Sequence, residues 1–65
     1  RSLSSVLDGV KGLGKVKKRA LLARFKDLGG IISATEEELT EVEGIGKVQA
    51  KNIIDKLTEE GLIQR

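Results

Sequence analysis

Two short segments carry the residue types best suited to chemistry: residues 12–15 read Gly-Leu-Gly-Lys, and residues 44–47 read Gly-Ile-Gly-Lys. The first glycine of such a segment can adopt a positive φ and reverse the chain, and the second leaves no Cβ to block a close approach. A helix is expected directly after each segment, so its first backbone N–H groups have no partner inside the helix. Because the helix dipole reinforces those donors, the pattern predicts two anion sites.

A phosphate diester is the anion that these features suit best, because it presents only oxygens and carries no sequence information. Lys15 and Lys47 follow the second glycines directly and can add charge-assisted contacts. Neither segment is a nucleotide-binding loop: Lys17 stands where a dinucleotide fingerprint has its third glycine, and Val16 stands where a phosphate loop has Ser or Thr. We therefore interpret residues 12–14 and 44–46, the first and second hairpins below, as phosphate-binding turns.

The two segments belong to an internal repeat of 32 residues. Residues 10–16 align with residues 42–48, and the match continues into apolar positions on both sides. The aligned apolar pairs are Leu7 with Leu39, Leu21 with Ile53, Leu22 with Ile54, and Phe25 with Leu57. Each copy therefore reads as one helix–turn–helix unit. A single Gly-x-Gly most often only caps a helix and closes a turn, but two copies in the same phase favour a shared binding role.

The element pattern predicts an all-α fold in which a connecting helix joins two helix-hairpin-helix units. Proline is absent and Phe25 is the one aromatic residue, which argues against a β-sandwich. Thr35 with Glu38 forms a capping-box pattern, Asp27 is a second cap, and a serine at position 4 or 5 is a third. The five predicted helices cover residues 5–9, 15–26, 28–33, 36–41 and 47–57. We expect one domain, residues 1–65, with its core in residues 4–57 and a tail from residue 58 that either extends the last helix or frays.

Composition excludes several function classes. Cysteine and histidine are absent, which removes thiolate metal sites and the commonest general base. Nothing in the sequence couples Asp8, Asp27 or Asp55 to a nucleophile, so we expect no catalytic residue, metal or cofactor. No apolar run approaches the length of a membrane span and no signal peptide is visible. Because cysteine is absent, we expect an intracellular origin.

Charge divides the chain. Residues 1–34 hold eight Lys and Arg against two Asp, a balance of +6, whereas residues 35–65 hold four against eight Asp and Glu, a balance of −4. This asymmetry indicates a basic surface for a polyanion on the first half; the alternative is two ordinary solvated faces that happen to differ. We expect phosphate affinity to concentrate on the first hairpin, and Leu13 and Ile45 at the hairpin tips to pack into the core.

The pattern Val-x-Gly-Leu/Ile-Gly-Lys-Val resembles the hairpin signature of the helix-hairpin-helix superfamily, and the two copies resemble its tandem form. Residues 5–25 and 34–46 are most similar to the two hairpins of the C-terminal domain of bacterial UvrC excinuclease subunits, although Lys11 and Glu43 replace a proline common there. XPF-type nucleases and the linker domain of diadenylate cyclases carry similar tandems. The UvrC resemblance implies a non-catalytic, nucleoid-associated module of the bacterial cytoplasm that binds duplex, bubble or junction DNA during nucleotide excision repair.

The predicted DNA contacts are the hairpins and the cations after them. They are Gly12, Leu13, Gly14, Lys15, Lys17, Lys18, Arg19, Gly44, Ile45, Gly46, Lys47 and Lys51. The alternative function is a protein–protein module of an XPF-like nuclease, in which acidic residues of the second half dock a partner or a second copy. Those residues are Glu36, Glu37, Glu38, Glu41 and Glu43. Glutamates in the first turn of a helix also simply favour its dipole.

Overall fold

The computed structural model describes residues 2–64 and contains five helices and no strand in that range. The helices are α1 (Leu3–Asp8), α2 (Lys15–Phe25), α3 (Leu28–Ile32), α4 (Glu36–Thr40) and α5 (Lys47–Glu59). The predicted all-α fold of five short helices is confirmed. None of these helices is long and apolar enough to cross a bilayer.

Helix α1 begins two residues earlier than the sequence pattern predicted. The cap is Ser2, whose side chain accepts a hydrogen bond from the Ser5 backbone N–H at 3.2 Å, so the prediction of a cap at position 4 or 5 was wrong. The earlier start places Leu3, Val6 and Leu7 on one helical face, and all three are buried. Burial of Leu3, which lies outside the predicted core range, explains why the earlier serine is the cap.

Helix α4 begins with the capping box that the sequence predicted. The Thr35 hydroxyl accepts a hydrogen bond from the Glu38 N–H at 3.1 Å, and the Glu38 carboxylate accepts one from the Thr35 N–H at 2.9 Å. The backbone hydrogen bond from Thr35 is the main cause that lowers the pKa of Glu38; desolvation opposes it, and the Thr35 hydroxyl and the charge of Arg24 lower the pKa further. Glu38 therefore has a structural role at the start of this helix.

The link from α2 to α3 is tight, and it ends α2 at Phe25, one residue short of the prediction. Lys26 adopts φ +67° and ψ −51°, and the Asp27 N–H donates to the Phe25 carbonyl at 2.7 Å, which is a γ-turn. The Asp27 side chain then caps α3, as predicted, by accepting from the Gly30 N–H at 2.9 Å. The two glycines of α3 differ: a Cβ on Gly30 would lie 2.2 Å from the Phe25 carbonyl oxygen, whereas one on Gly29 would meet only Asp27 Oδ1 at 3.5 Å.

The tail continues α5 by two residues beyond the predicted end and then turns. Gly61, at φ +74°, donates its N–H to the Thr58 carbonyl at 3.0 Å, and the Leu62 N–H donates to the Leu57 carbonyl at 2.9 Å. These two bonds form a Schellman motif, which satisfies carbonyls at the end of the helix. Leu62 and Ile63 lie half-buried against the core, so the last turn of α5 is anchored by apolar contacts.

One apolar core joins the two repeats. Helix α1 packs against α2, α4 packs against α5, and α1 also contacts α5. All buried side chains of the described range are apolar, and the aligned apolar pairs occupy equivalent places in both units. The buried residues are Leu3, Val6, Leu7, Val10, Leu21, Phe25, Ile31, Ala34, Leu39, Val42, Ile45, Ala50, Ile53 and Leu57. Because both units contribute to the same core, it fixes how the two hairpins stand relative to one another.

Candidate nucleic-acid interface

The two hairpins have the same backbone conformation. Gly12 and Gly44 adopt φ +80° and +86°, as the reversal of the chain requires. Gly14 and Gly46 are extended, at φ −78° and −90°, and are the N-cap residues of α2 and α5. The 32-residue sequence repeat is therefore also a structural repeat, in which each hairpin leads in the same way into a long helix.

The starts of α2 and α5 differ from those of the other helices. Side chains cap α1, α3 and α4, but neither Gly14 nor Gly46 offers one, and neither first turn contains an acidic residue. A Cβ on either glycine would meet nothing within 4 Å. The space beside both N-cap glycines is therefore open, and both glycines and the lysines after them are exposed.

The hairpin tips pack inward, to different degrees. Ile45 is 4% exposed and belongs to the core, whereas Leu13 is only half-buried against it. The Ile45 N–H also donates to the Val42 carbonyl at 3.0 Å. Ile45 was among the predicted DNA contacts, but its side chain is buried in the core.

Lys17 and Gln49 occupy equivalent positions of the repeat, and each reaches the hairpin of the other unit. The aliphatic chain of Lys17 lies beside Gly44, where an added Cβ would meet its Cγ at 3.5 Å and its Cε at 3.6 Å. Gln49 Nε2 donates to the Gly12 carbonyl at 3.2 Å. These two crossing contacts hold the hairpins side by side, and they place the cation of Lys17 near the second hairpin.

Gln49 is a site residue that the sequence analysis missed. Its half-buried side chain carries an Oε1 atom that is buried without a hydrogen-bond partner in the described part of the chain. The available signal was its alignment with Lys17, since equivalent residues of a repeat occupy equivalent places. The hydrogen bond from Gln49 to Gly12 could not be predicted from local sequence pattern, because it joins residues 37 positions apart.

The remaining predicted cations divide into free and paired groups. Lys15 and Lys47 are the first residues of α2 and α5, Arg19 and Lys51 lie one turn later, and all four are exposed. The Lys18 ammonium instead forms an ion pair with the Asp8 carboxylate. Lys18 is therefore partly neutralised within the fold, and the exposed cations of the two units become more alike than the sequence suggested.

Comparison with known proteins identifies the family. Residues 4–59 match the model of the SAM-like helix-hairpin-helix tandem. The chain is 60% identical over 43 residues, 66% of its length, to the UvrABC system protein C of Syntrophus aciditrophicus, and 47% identical over 57 residues, 88% of its length, to that of Pseudarthrobacter chlorophenolicus. It covers only 7% and 8% of those relatives. No solved structure matches the chain. The chain belongs to the SAM-like helix-hairpin-helix tandem family, as its repeated hairpin signature predicted.

Proposed function

We propose that this chain binds DNA without sequence preference and supports incision during nucleotide excision repair. In this proposal the first-turn amides of α2 and α5 hold phosphates, and the exposed lysines beside them add charge. The support for a repair role is its similarity to proteins named UvrABC system protein C. The module itself is proposed to be non-catalytic, with incision carried out by other domains of a nucleoid-associated bacterial protein.

The observation that carries the proposal is the pair of uncapped helix starts. A side-chain cap stabilises a helix by about 1 kcal/mol relative to alanine and by roughly a few tenths of a kcal/mol relative to glycine, and a cation at the N-terminus is unfavourable against the dipole. Yet α2 and α5 each begin with glycine and then lysine, although the same chain caps α1, α3 and α4 with Ser2, Asp27 and Thr35. An external anion at these two positions would supply the missing acceptor and neutralise the lysine.

The fixed arrangement of the two sites suits a duplex ligand. The contacts from Lys17 to Gly44 and from Gln49 to Gly12 fix the hairpins side by side, so two phosphates can be held at a set separation, one from each strand across a minor groove. Base reading is not favoured, because the two side-chain amides of α5, Gln49 and Asn52, are half-buried and Gln49 is engaged with Gly12. The proposed contacts are therefore to the backbone of the DNA.

Filling the amide sites with an internal carboxylate tests the proposal. In Gly14→Asp and Gly46→Asp the new side chain has open space and can cap the helix, so we expect the free energy of unfolding to rise by about 0.5–1 kcal/mol. The same carboxylate occupies the amides and repels phosphate, so affinity for a short DNA duplex should fall at least about tenfold. Urea unfolding and fluorescence anisotropy measure the two effects.

Ala23→Asp is the matched control, because it adds the same charge at an exposed position of α2 two turns beyond the hairpin. It should weaken binding much less than Gly14→Asp does. Equal losses in the two variants would assign the effect to net charge and contradict the role of the amides. Full affinity in Gly14→Asp would contradict it as well.

A further inference from the structure

Two exposed valines stand at equivalent positions of the repeat. Val16 is 83% exposed and Val48 is 72% exposed, and these are the exposed large apolar side chains of residues 2–64. Each is the second residue of its helix, directly after the lysine that follows the hairpin. The other valines of the described chain, at positions 6, 10 and 42, are buried. Core packing therefore does not explain this pair, and its repetition indicates a common role.

Each valine lies among cations. Residues three apart share a helical face, so Val16 neighbours Arg19 and Val48 neighbours Lys51, and all four side chains are exposed. Lys15 and Lys47 precede the valines. Consecutive helical residues point about 100° apart, so each valine shares its face only with the cation three residues further on. An apolar group beside a cation is complementary to a chain in which apolar units alternate with anions. The sugar–phosphate backbone is such a chain, because each deoxyribose lies between two phosphates.

We propose that Val16 and Val48 pack against deoxyribose edges next to the phosphates held at the two hairpins. The inference rests on the proposed DNA binding and adds a second kind of contact to it. Phosphate contacts by lysine weaken as salt rises, because they release counterions. Burial of apolar surface does not depend on counterions in this way, so the valines contribute affinity that salt leaves in place.

The double variant Val16→Thr/Val48→Thr tests the inference, because threonine keeps the branched shape while replacing a methyl group by a hydroxyl. Binding of the 65-residue chain to a short labelled duplex is measured at several salt concentrations. We expect affinity to fall about tenfold at every concentration, with an unchanged slope of log K against log[salt]. Unchanged affinity would overturn the inference, and so would a loss confined to low salt.

Ala23→Thr is the matched control, since it places threonine at an exposed position on the same face of α2, seven residues beyond Val16; its affinity should equal that of the original chain. If the original chain does not bind the duplex at all, the proposed function fails and the inference fails with it. If it binds and the double variant binds equally well but self-associates less in sedimentation, the valines contact a second copy, which also overturns the inference.

Discussion

Lys17 and Gln49 couple the two hairpins through single side chains. They are equivalent by the 32-residue repeat, but one brings a charge to the second hairpin and the other brings a neutral amide to the first. The second hairpin has Glu43 directly before Gly44, where the first has Lys11 before Gly12. The concentration of phosphate affinity on the first hairpin stays a prediction, and the position of Lys17 adds one cation near the second hairpin.

Exchanging these two side chains should move the binding response from one hairpin to the other. In Lys17→Gln, we expect DNA-induced amide shifts at Gly46 and Lys47 to shrink more than those at Gly14 and Lys15, because the lost charge lay at the second hairpin. The double variant Lys17→Gln/Gln49→Lys keeps the net charge and should make the first hairpin respond more strongly. NMR titration with a short duplex measures both.

If Lys17→Gln reduces the shifts at the first hairpin alone, the Lys17 ammonium does not act at the second hairpin and the assignment is wrong.

Local features of the hairpins could be predicted from residue types, whereas contacts between helices could not. The positive φ of Gly12 and Gly44 was predictable from the sequence, because it is a local requirement of the turn. The sequence could not identify the crossing of Lys17 or the Lys18–Asp8 pair, because both depend on how helices pack.

Among the helices, α3 shows most directly how a tertiary contact can give two identical residues different structural roles. Both of its glycines lower helix propensity, and the sequence treats them alike. In the structure a Cβ on Gly30 would overlap the Phe25 carbonyl, whereas one on Gly29 would only make an ordinary contact with Asp27 Oδ1 at 3.5 Å. The close approach of Gly30 follows from the γ-turn at Lys26, which folds the end of α2 onto α3.

The two α3 glycines should therefore respond in opposite directions to alanine. Gly29→Ala should raise the free energy of unfolding by about 0.5–1 kcal/mol, because alanine is the better helix former. Gly30→Ala should lower it by about 2 kcal/mol or more, since its Cβ would overlap the Phe25 oxygen and the backbone must shift. Urea unfolding measures both, and similar effects of the two substitutions would contradict the packing of α3 against the end of α2.

Some helix boundaries are set by local sequence and others by tertiary packing, and only the first kind could be predicted. The capping box of α4 was predictable because it is a four-residue pattern whose partners lie within one turn. The start of α1 was not, because the chain offers serines at positions 2, 4 and 5 and burial of Leu3 decides among them. The end of α5 likewise depends on Leu62 reaching the core.

Over the whole molecule, the ion pairs form within each half of the sequence. Lys18 is paired with Asp8, and the Lys56 ammonium lies 3.6 Å from Glu59 and 3.5 Å from Glu60. These pairs leave the charge balance of each half unchanged. The exposed lysines at the two helix starts, Lys15 and Lys47, come one from each half, so we expect both halves to contribute to phosphate binding.

Salt dependence tests that distribution. If about four phosphates are neutralised, log K should fall against log[salt] with a slope of about −3.6, and loss of one phosphate contact should reduce its magnitude by about 0.9. We expect that reduction in Lys15→Gln and in Lys47→Gln, whose lysines are exposed beside the hairpins. Lys56→Gln should leave the slope unchanged, because that cation already has two carboxylate partners. If all three variants instead lowered affinity equally, the net charge of the chain would govern binding, and contacts at the helix starts would not be needed to explain it.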